Sequence, residues 1–181
     1  MNQPFCGIIF PYSSFLENIL DDIDIRILAA LQGNADKSVA EIATLAGVSQ
    51  TPCWKRIKKM EDKGLIRRRV VLLEAAEIGL RLIGFVQIKA VQHSEAWLKK
   101  FTAAIANIPE IIECHRMTGD VDYLLKVVAP DMDGYDVIYR RLIRAIDLSD
   151  VSVSFSMERL KETTELPLAY ADVKSAGTKR P

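Results

Sequence analysis

Histidine and cysteine are scarce in this chain, with two of the first and three of the second among 181 residues. Neither type clusters. Cys6, Cys53 and Cys114 lie far apart, and no CxxC or His-rich spacing occurs. That excludes a zinc finger or ribbon, whose ligands come in close pairs, so no metal site is expected. An odd, dispersed set of thiols also does not build a disulfide framework, and it fits a reducing compartment. Long apolar runs are missing too: no stretch of 18 apolar residues is present, which leaves no candidate for a membrane-spanning helix. Residues 1–19 carry an apolar patch, but no basic lead precedes it, Pro11 interrupts it and acidic residues follow. They read as an extension rather than a signal peptide. A cytoplasmic location is therefore expected. Finally, there is no excess of charge, because 24 basic residues balance 24 acidic ones. Such a chain cannot coat nucleic acid by bulk attraction, so any nucleic-acid contact must come from a local patch.

One such patch stands out. "SQTPCWKRIKKMEDKGLIRRR" (49–69) holds Lys55, Arg56, Lys58, Lys59, Lys63, Arg67, Arg68 and Arg69 against Glu61 and Asp62 alone. The segments before it explain where it sits. Leu20, Ile23, Ile27 and Leu31 recur at helical spacing, with Asp21 or Asp22 to cap the start and Gln32–Gly33–Asn34 to end it. "SVAEIATLAG" opens with Ser38 and carries Glu41 three residues on, a capping box, and Ile42 and Leu45 supply its apolar side. A tight turn at Gly47 then leads into a third helix. There Ser49 can cap, Pro52 is tolerated in the first turn, Cys53, Ile57 and Met60 form the inward stripe, and Gly64 stops the helix. Three helices, the last two joined by a short glycine turn, make the helix-turn-helix pattern.

The second helix of such a pair enters the DNA major groove. Gln50, Thr51 and Lys55 are of the type that reads base edges, with Ser49 at the helix start and Trp54 beside them to touch backbone or a thymine methyl. Arg56, Lys58 and Lys59 suit phosphate contacts, which position without specifying sequence. The acids Asp21, Asp22 and Asp24 are expected to cap the first helix and face away. "LIRRRVVLL" alternates weakly and is β-branched, which predicts a short strand or wing that adds Arg67, Arg68 and Arg69. The bland alternative for the whole run is a solvated helix face.

Beyond a linker at 74–80 the period changes. Residues 82–91 read as a strand, 94–108 as a helix with Trp97, Phe101, Ile105 and Ile108 on one face, and 111–119 and 122–129 as strands joined by a "GDVD" turn. A helix follows with Tyr135, Ile138, Leu142 and Ile146 in register, then the strictly alternating strand "VSVSFSM". The order βαββαβ is the ferredoxin-like split motif. The fold class is thus α+β: a winged helix-turn-helix over 20–73, a linker over 74–80, a ferredoxin-like domain over 81–168 and a flexible tail over 169–181. Two helices cover only one face of such a sheet, yet Ile83, Phe85, Leu124 and Val128 fall on the other face. A homodimer through that open face is the expectation.

"LDDIDIRILAALQ", "VAEIATLAGVSQTPCWKRIKKMEDKGLI", "ECHRMTGDVDYLLKVVAPDM" and "TTELPL" closely resemble the Lrp/AsnC, or feast/famine, regulators. The resemblance covers about 20–168 and matches two domains in the same order. It implies a DNA-binding regulator that dimerises through its sheets, assembles in some cases into octamers, and responds to a small-molecule effector, commonly an amino acid. It also implies an effector cleft between dimers, around "MTGDVDY": Met117, Thr118, Gly119, Asp120, Asp122 and Tyr123. Met132, Ser154, Phe155 and Ser156 match further response positions. A Gly-Asp turn offers backbone donors for a carboxylate, and aspartates accept from an ammonium group. The residues alone leave open that "GDVD" is simply a hairpin turn. Arg116 and Ser154 depart from the family's usual residue types, which leaves the choice of effector unspecified.

The expected function is a DNA-binding transcriptional regulator, nucleoid-associated, with double-stranded DNA, a second copy of itself and an amino-acid effector as partners and no cofactor. Two other classes compete. One is an architectural DNA-binding protein indifferent to ligands. The other is an enzyme built on the ferredoxin-like domain, a fold that does not itself decide function. No glycine-rich phosphate loop or spaced His–carboxylate pair supports the enzyme. Cys114 and His115 are neighbours on a strand, so they point to opposite faces and make no nucleophile–base pair.

Overall fold

The computed structural model describes residues 20–172. The segments 1–19 and 173–181, read from sequence as an extension and part of a tail, lie outside the described residues. Two compact units emerge, one of residues 72–160, the other of residues 20–71 together with 161–172. Residues 161–172, expected with the sheet domain up to 168, group with the helices.

The helical unit comprises α1 (Asp22–Gly33), α2 (Val39–Ala46) and α3 (Gln50–Asp62). Capping boxes start the first two. Asp21 Oδ1 accepts from the Asp24 amide at 2.9 Å while the Asp21 amide donates to Asp24 Oδ2 at 3.2 Å. Ser38 and Glu41 exchange the equivalent bonds at the head of α2. Gly47, with φ 71°, closes α2 in the left-handed conformation that glycine adopts without strain. Ser49 does sit at the N-cap of α3, but its side chain makes no capping bond. Ile27, Leu28, Ile42, Ala43, Ala46, Cys53, Ile57 and Met60 form the core. Leu45 is not among them. It is 56% exposed, and Ala43 and Ala46 take the inward positions instead.

The expected strand after α3 does not form: residues 67–74 enter no ladder, and a 3-10 turn at Ala75–Ile78 follows. A strand exists only where a neighbour takes its ladder bonds. At the other end of this unit, Leu168 packs against the helical core and the Leu20 amide donates to the Asp172 carbonyl at 3.3 Å.

The second unit has the expected order: β1 (Leu82–Ala90), α4 (Glu95–Ala106), β2 (Ile111–Arg116), β3 (Tyr123–Ala129), α5 (Met132–Ala145) and β4 (Leu148–Phe155). The strands pair antiparallel in the order β2-β3-β1-β4. Val86, Ile88, Tyr123, Leu125 and Val127 point to one face and are buried with Trp97, Phe101, Ile138 and Leu142. Alternation sends Ile83, Phe85, Leu124 and Ser154 to the other face, where Phe85 is 37% exposed. Gly84 lies opposite Phe155. A Cβ there would stand 3.3 Å from the phenyl ring, so the glycine lets that ring lie close over β1.

Candidate nucleic-acid interface and effector site

On α3 the buried stripe Cys53–Ile57–Met60 turns the opposite face outward. Ser49, Gln50, Thr51, Trp54, Lys55, Lys58 and Lys59 are all exposed, as are Arg67, Arg68 and Arg69 beyond the helix. Trp54 shows 54% of its surface, which is unusual for so large an apolar side chain and leaves it free to contact a partner.

The charges divide into two classes that sequence did not separate. Arg56 Nη1 donates to Asp21 Oδ2 and to Asp24 Oδ1, both at 2.7 Å, and only 31% of its side chain is exposed. The acids at the start of α1 therefore do not face away from α3; they hold it. Desolvation pushes the Asp21 carboxyl up, but bonds from the Asp24 amide and Arg56, with the cation's charge, outweigh it and leave the carboxyl below its ordinary range. Arg56, expected as a phosphate contact, thus has two carboxylate partners within the helical unit. Lys58 pairs along its own helix with Asp62 at 3.2 Å, and Arg69 reaches Glu61 at 3.4 Å. Lys55, Lys59, Lys63, Arg67 and Arg68 enter no ion pair among the described residues. Lys63 joins these exposed cations, although the expected contact set leaves it out. Its signal was its position one turn after Lys59.

The candidate effector residues fall into two groups. At the end of β2, Met117 is 41% exposed, and Thr118, Gly119 and Asp120 form an exposed turn in which Gly119 has φ 99°. The Met117 amide closes the turn on the Asp122 carbonyl at 2.8 Å. Asp122 is largely spent on the fold. Its Oδ2 accepts from the Ala90 amide at 2.8 Å, its amide donates to the Ile88 carbonyl at 3.0 Å, and His93 Nε2 stands 3.7 Å from Oδ1. Tyr123 is not a surface group at all. It is 5% exposed, with ring centroids 4.6 Å from Phe101 and 5.7 Å from Trp97. Burial pushes its hydroxyl pKa up. It belongs to the core, because its alternation places it on the covered face with Leu125 and Val127.

The second group lies at the other end of the sheet. Met132, at the head of α5, is 55% exposed. Ser154 faces the open side of β4 and pairs with Phe85, whereas Phe155 turns to the covered side and meets Tyr135 edge-on at 5.0 Å. The Ser156 amide donates to the Ile83 carbonyl at 2.9 Å. Phe155 pairs with Gly84 and Tyr123 with Ile88. The two groups are thus separated along β1 by about 13 Å, at ~3.3 Å per residue. One chain does not bring them together.

Among the described residues no cluster of three or more His, Cys, Asp or Glu side chains could hold a metal ion, and no helix is long and apolar enough to cross a membrane.

Comparison with known proteins sets this geometry beside relatives. The winged helix-turn-helix DNA-binding family matches residues 20–67, and the Lrp/AsnC ligand binding domain matches residues 83–166. The glutamate uptake regulatory protein of Zymomonas mobilis is 44% identical over 149 residues, 82% of this chain and 91% of that protein. The crystal structure of an AsnC family transcriptional regulator from Agrobacterium tumefaciens matches with a TM-score of 0.81 and 48% identity, covering 83% of this chain and 99% of that one. A transcriptional regulator of Neisseria meningitidis, solved in complex with L-Met, matches with a TM-score of 0.78 and 31% identity over 82% of this chain and 97% of its own.

Proposed function

Because the chain belongs to the Lrp/AsnC family of DNA-binding transcriptional regulators, we propose that α3 and the arginines after it form its DNA contact surface, and that an amino acid tunes the contact. Membership decides against the enzyme reading. The observation that carries the DNA assignment is the set of exposed cations on and after α3, Lys55, Lys59, Lys63, Arg67 and Arg68, that enter no ion pair among the described residues. Gln50, Thr51 and Lys55 read base edges, Ser49 and Trp54 flank them, and the remaining free cations hold phosphates.

The effector is bound at the Met117–Thr118–Gly119–Asp120 turn. The turn's backbone receives the carboxylate and Asp120 the ammonium group. Met132, Ser154 and Ser156 complete the cleft only when a second copy supplies them, because within one chain they lie at the far end of the sheet. The L-Met complex of the Neisseria relative supports an amino acid as the ligand class. Homodimerisation covers the open sheet face around Phe85 and Leu124, octamers are the next order of assembly, and the protein works in the cytoplasm on the nucleoid.

Thermal-shift screening against the twenty amino acids, paired with anisotropy titrations of a DNA duplex, tests this reading. A ligand that raises the melting temperature should also change duplex affinity. Duplex binding that no amino acid alters would instead mark a ligand-independent architectural protein. Light scattering that found a stable monomer at micromolar concentration would remove both the dimer and the shared cleft.

A further inference from the structure

Arg56 stands between two roles that make opposite predictions. Its neighbour Lys55 faces outward, and Ile57 on its other side is buried at 4% exposure. From that flank its Nη1 bridges Asp21 and Asp24, and each carboxylate is used twice: one oxygen on the guanidinium, the other on a backbone amide of the α1 capping box. Four carboxylate oxygens thereby meet four donor contacts, and only 16% of the Asp24 side chain is exposed. Lys59 and Lys63 line the same recess as Asp24 and Arg56 and enter no ion pair among the described residues. Such a bridge fixes the rotation of α3 about its own axis. At a radius of about 6 Å, a turn of about 20° would carry the outward side chains by roughly 2 Å, enough to spoil hydrogen bonds to base edges.

We propose that Arg56 is a positioning residue for DNA recognition: bridged to Asp21 and Asp24, it locks α3 against the start of α1, and DNA affinity depends on that lock rather than on a phosphate held by Arg56. This rests on the reading that α3 meets DNA. The acids of α1 then support DNA binding although they carry the same charge sign as DNA. Simple electrostatics gives the reverse expectation for them, since removing a nearby anion should tighten binding.

The test is fluorescence anisotropy of the full chain on a duplex that the parent protein enriches from a random-sequence library, read across a range of salt concentrations. Arg56→Ala should weaken binding about tenfold while leaving the salt slope unchanged. Asp24→Asn should weaken it about fivefold despite the lost negative charge. The double variant should be no weaker than Arg56→Ala, because the two share one interaction. Arg56→Lys should recover only part of the affinity, since an ammonium group on one arm does not reproduce the guanidinium's planar fork. Circular dichroism melts accompany each variant, and if Arg56→Ala melts near the assay temperature, Asp24→Asn and Arg56→Lys decide the question. The proposal is overturned if Arg56→Ala flattens the slope by about 0.9, as loss of one phosphate contact does. It is equally overturned if Asp24→Asn binds as tightly as the parent or tighter, or if Arg56→Lys restores full affinity. Lys59→Ala and Lys55→Ala test the underlying reading separately. Should neither weaken binding, α3 is not the DNA surface, whatever Arg56 does.

Discussion

Gln32 and Leu166 hold each other through two hydrogen bonds: the Gln32 amide nitrogen donates to the Leu166 carbonyl at 3.1 Å, and the Leu166 amide donates to Gln32 Oε1 at 2.8 Å. A side-chain amide here does what a β-strand neighbour does elsewhere, satisfying both backbone groups of one residue. It fastens the returning segment 161–172 to the end of α1, where Leu168 joins the helical core.

Gln32→Ala should therefore free the segment without disturbing the helices. The expected cost is about 1 kcal/mol for two partly solvated bonds. Hydrogen exchange should speed up at the Leu166 amide while amides within α1 and α3 keep their protection. Gln32→Glu, which keeps the acceptor and loses the donor, should fall between the two. Unchanged exchange at Leu166 in Gln32→Ala would show that Leu168 and the Leu20–Asp172 bond hold the segment without Gln32.

Tyr123 separates a core role from an effector role. Its ring packs with Trp97 and Phe101 in the covered layer of the sheet. Tyr123→Phe should then leave stability and amino-acid response near those of the parent. Tyr123→Ala should destabilise the sheet unit by about 3–5 kcal/mol in urea unfolding, as loss of a buried aromatic does. If Tyr123→Phe abolished the ligand-induced thermal shift at unchanged stability, the hydroxyl would have to be returned to the effector site.

Much of this was legible beforehand where local signals agree. The capping box at Ser38–Glu41, the glycine turn at Gly47 and the stripe Cys53–Ile57–Met60 each predict their element and are found in place. The alternation of β3 already set Tyr123 in one row with Leu125 and Val127; only the resemblance placed it in a cleft. What sequence did not reveal depends on partners far along the chain. Nothing local says that Arg56 pairs with acids 32 and 35 residues earlier. Likewise the spacing of "GDVD" and Phe155–Ser156 is silent on their lying at opposite ends of β1, which follows from the strand register. The missing strand at residues 67–74 is of the same kind, since the stretch has strand-like composition but no ladder partner among the described residues.

Two depressed carboxyls make the helical unit acid-sensitive. Asp21 titrates below its ordinary 3.8 for the reasons given above, and hydrogen bonds from the Ser38 side chain and backbone hold Glu41 below 4.5. For a carboxyl whose folded pKa is lowered, the stabilisation is complete above the unfolded value and is lost as pH falls through the folded one. The melting temperature of this unit should thus be flat from neutral pH down to about 5 and decline below about 4. Circular dichroism melts across that range check it. Asp21→Asn should blunt the decline, and a melting point that instead rose on acidification would contradict the assignment.

The partition of charges on and after α3 fixes how steeply salt weakens DNA binding. Of the eight basic residues from Lys55 to Arg69, three are engaged internally: Arg56 by Asp21 and Asp24, Lys58 by Asp62, and Arg69 by Glu61. Five remain. With one counterion released for each phosphate neutralised, the slope of log affinity against log salt should not exceed about −4.5 per bound protomer. Counting all eight would give about −7 instead. A duplex carrying a single half-site, titrated from low to moderate salt, distinguishes the two. Glu61→Gln releases Arg69 from its partner and should steepen the slope by up to about 0.9. Lys63→Ala, one turn beyond Lys59, should flatten it by a similar amount. A parent slope near −7 would mean that the internal pairs open on DNA and lend their cations to it.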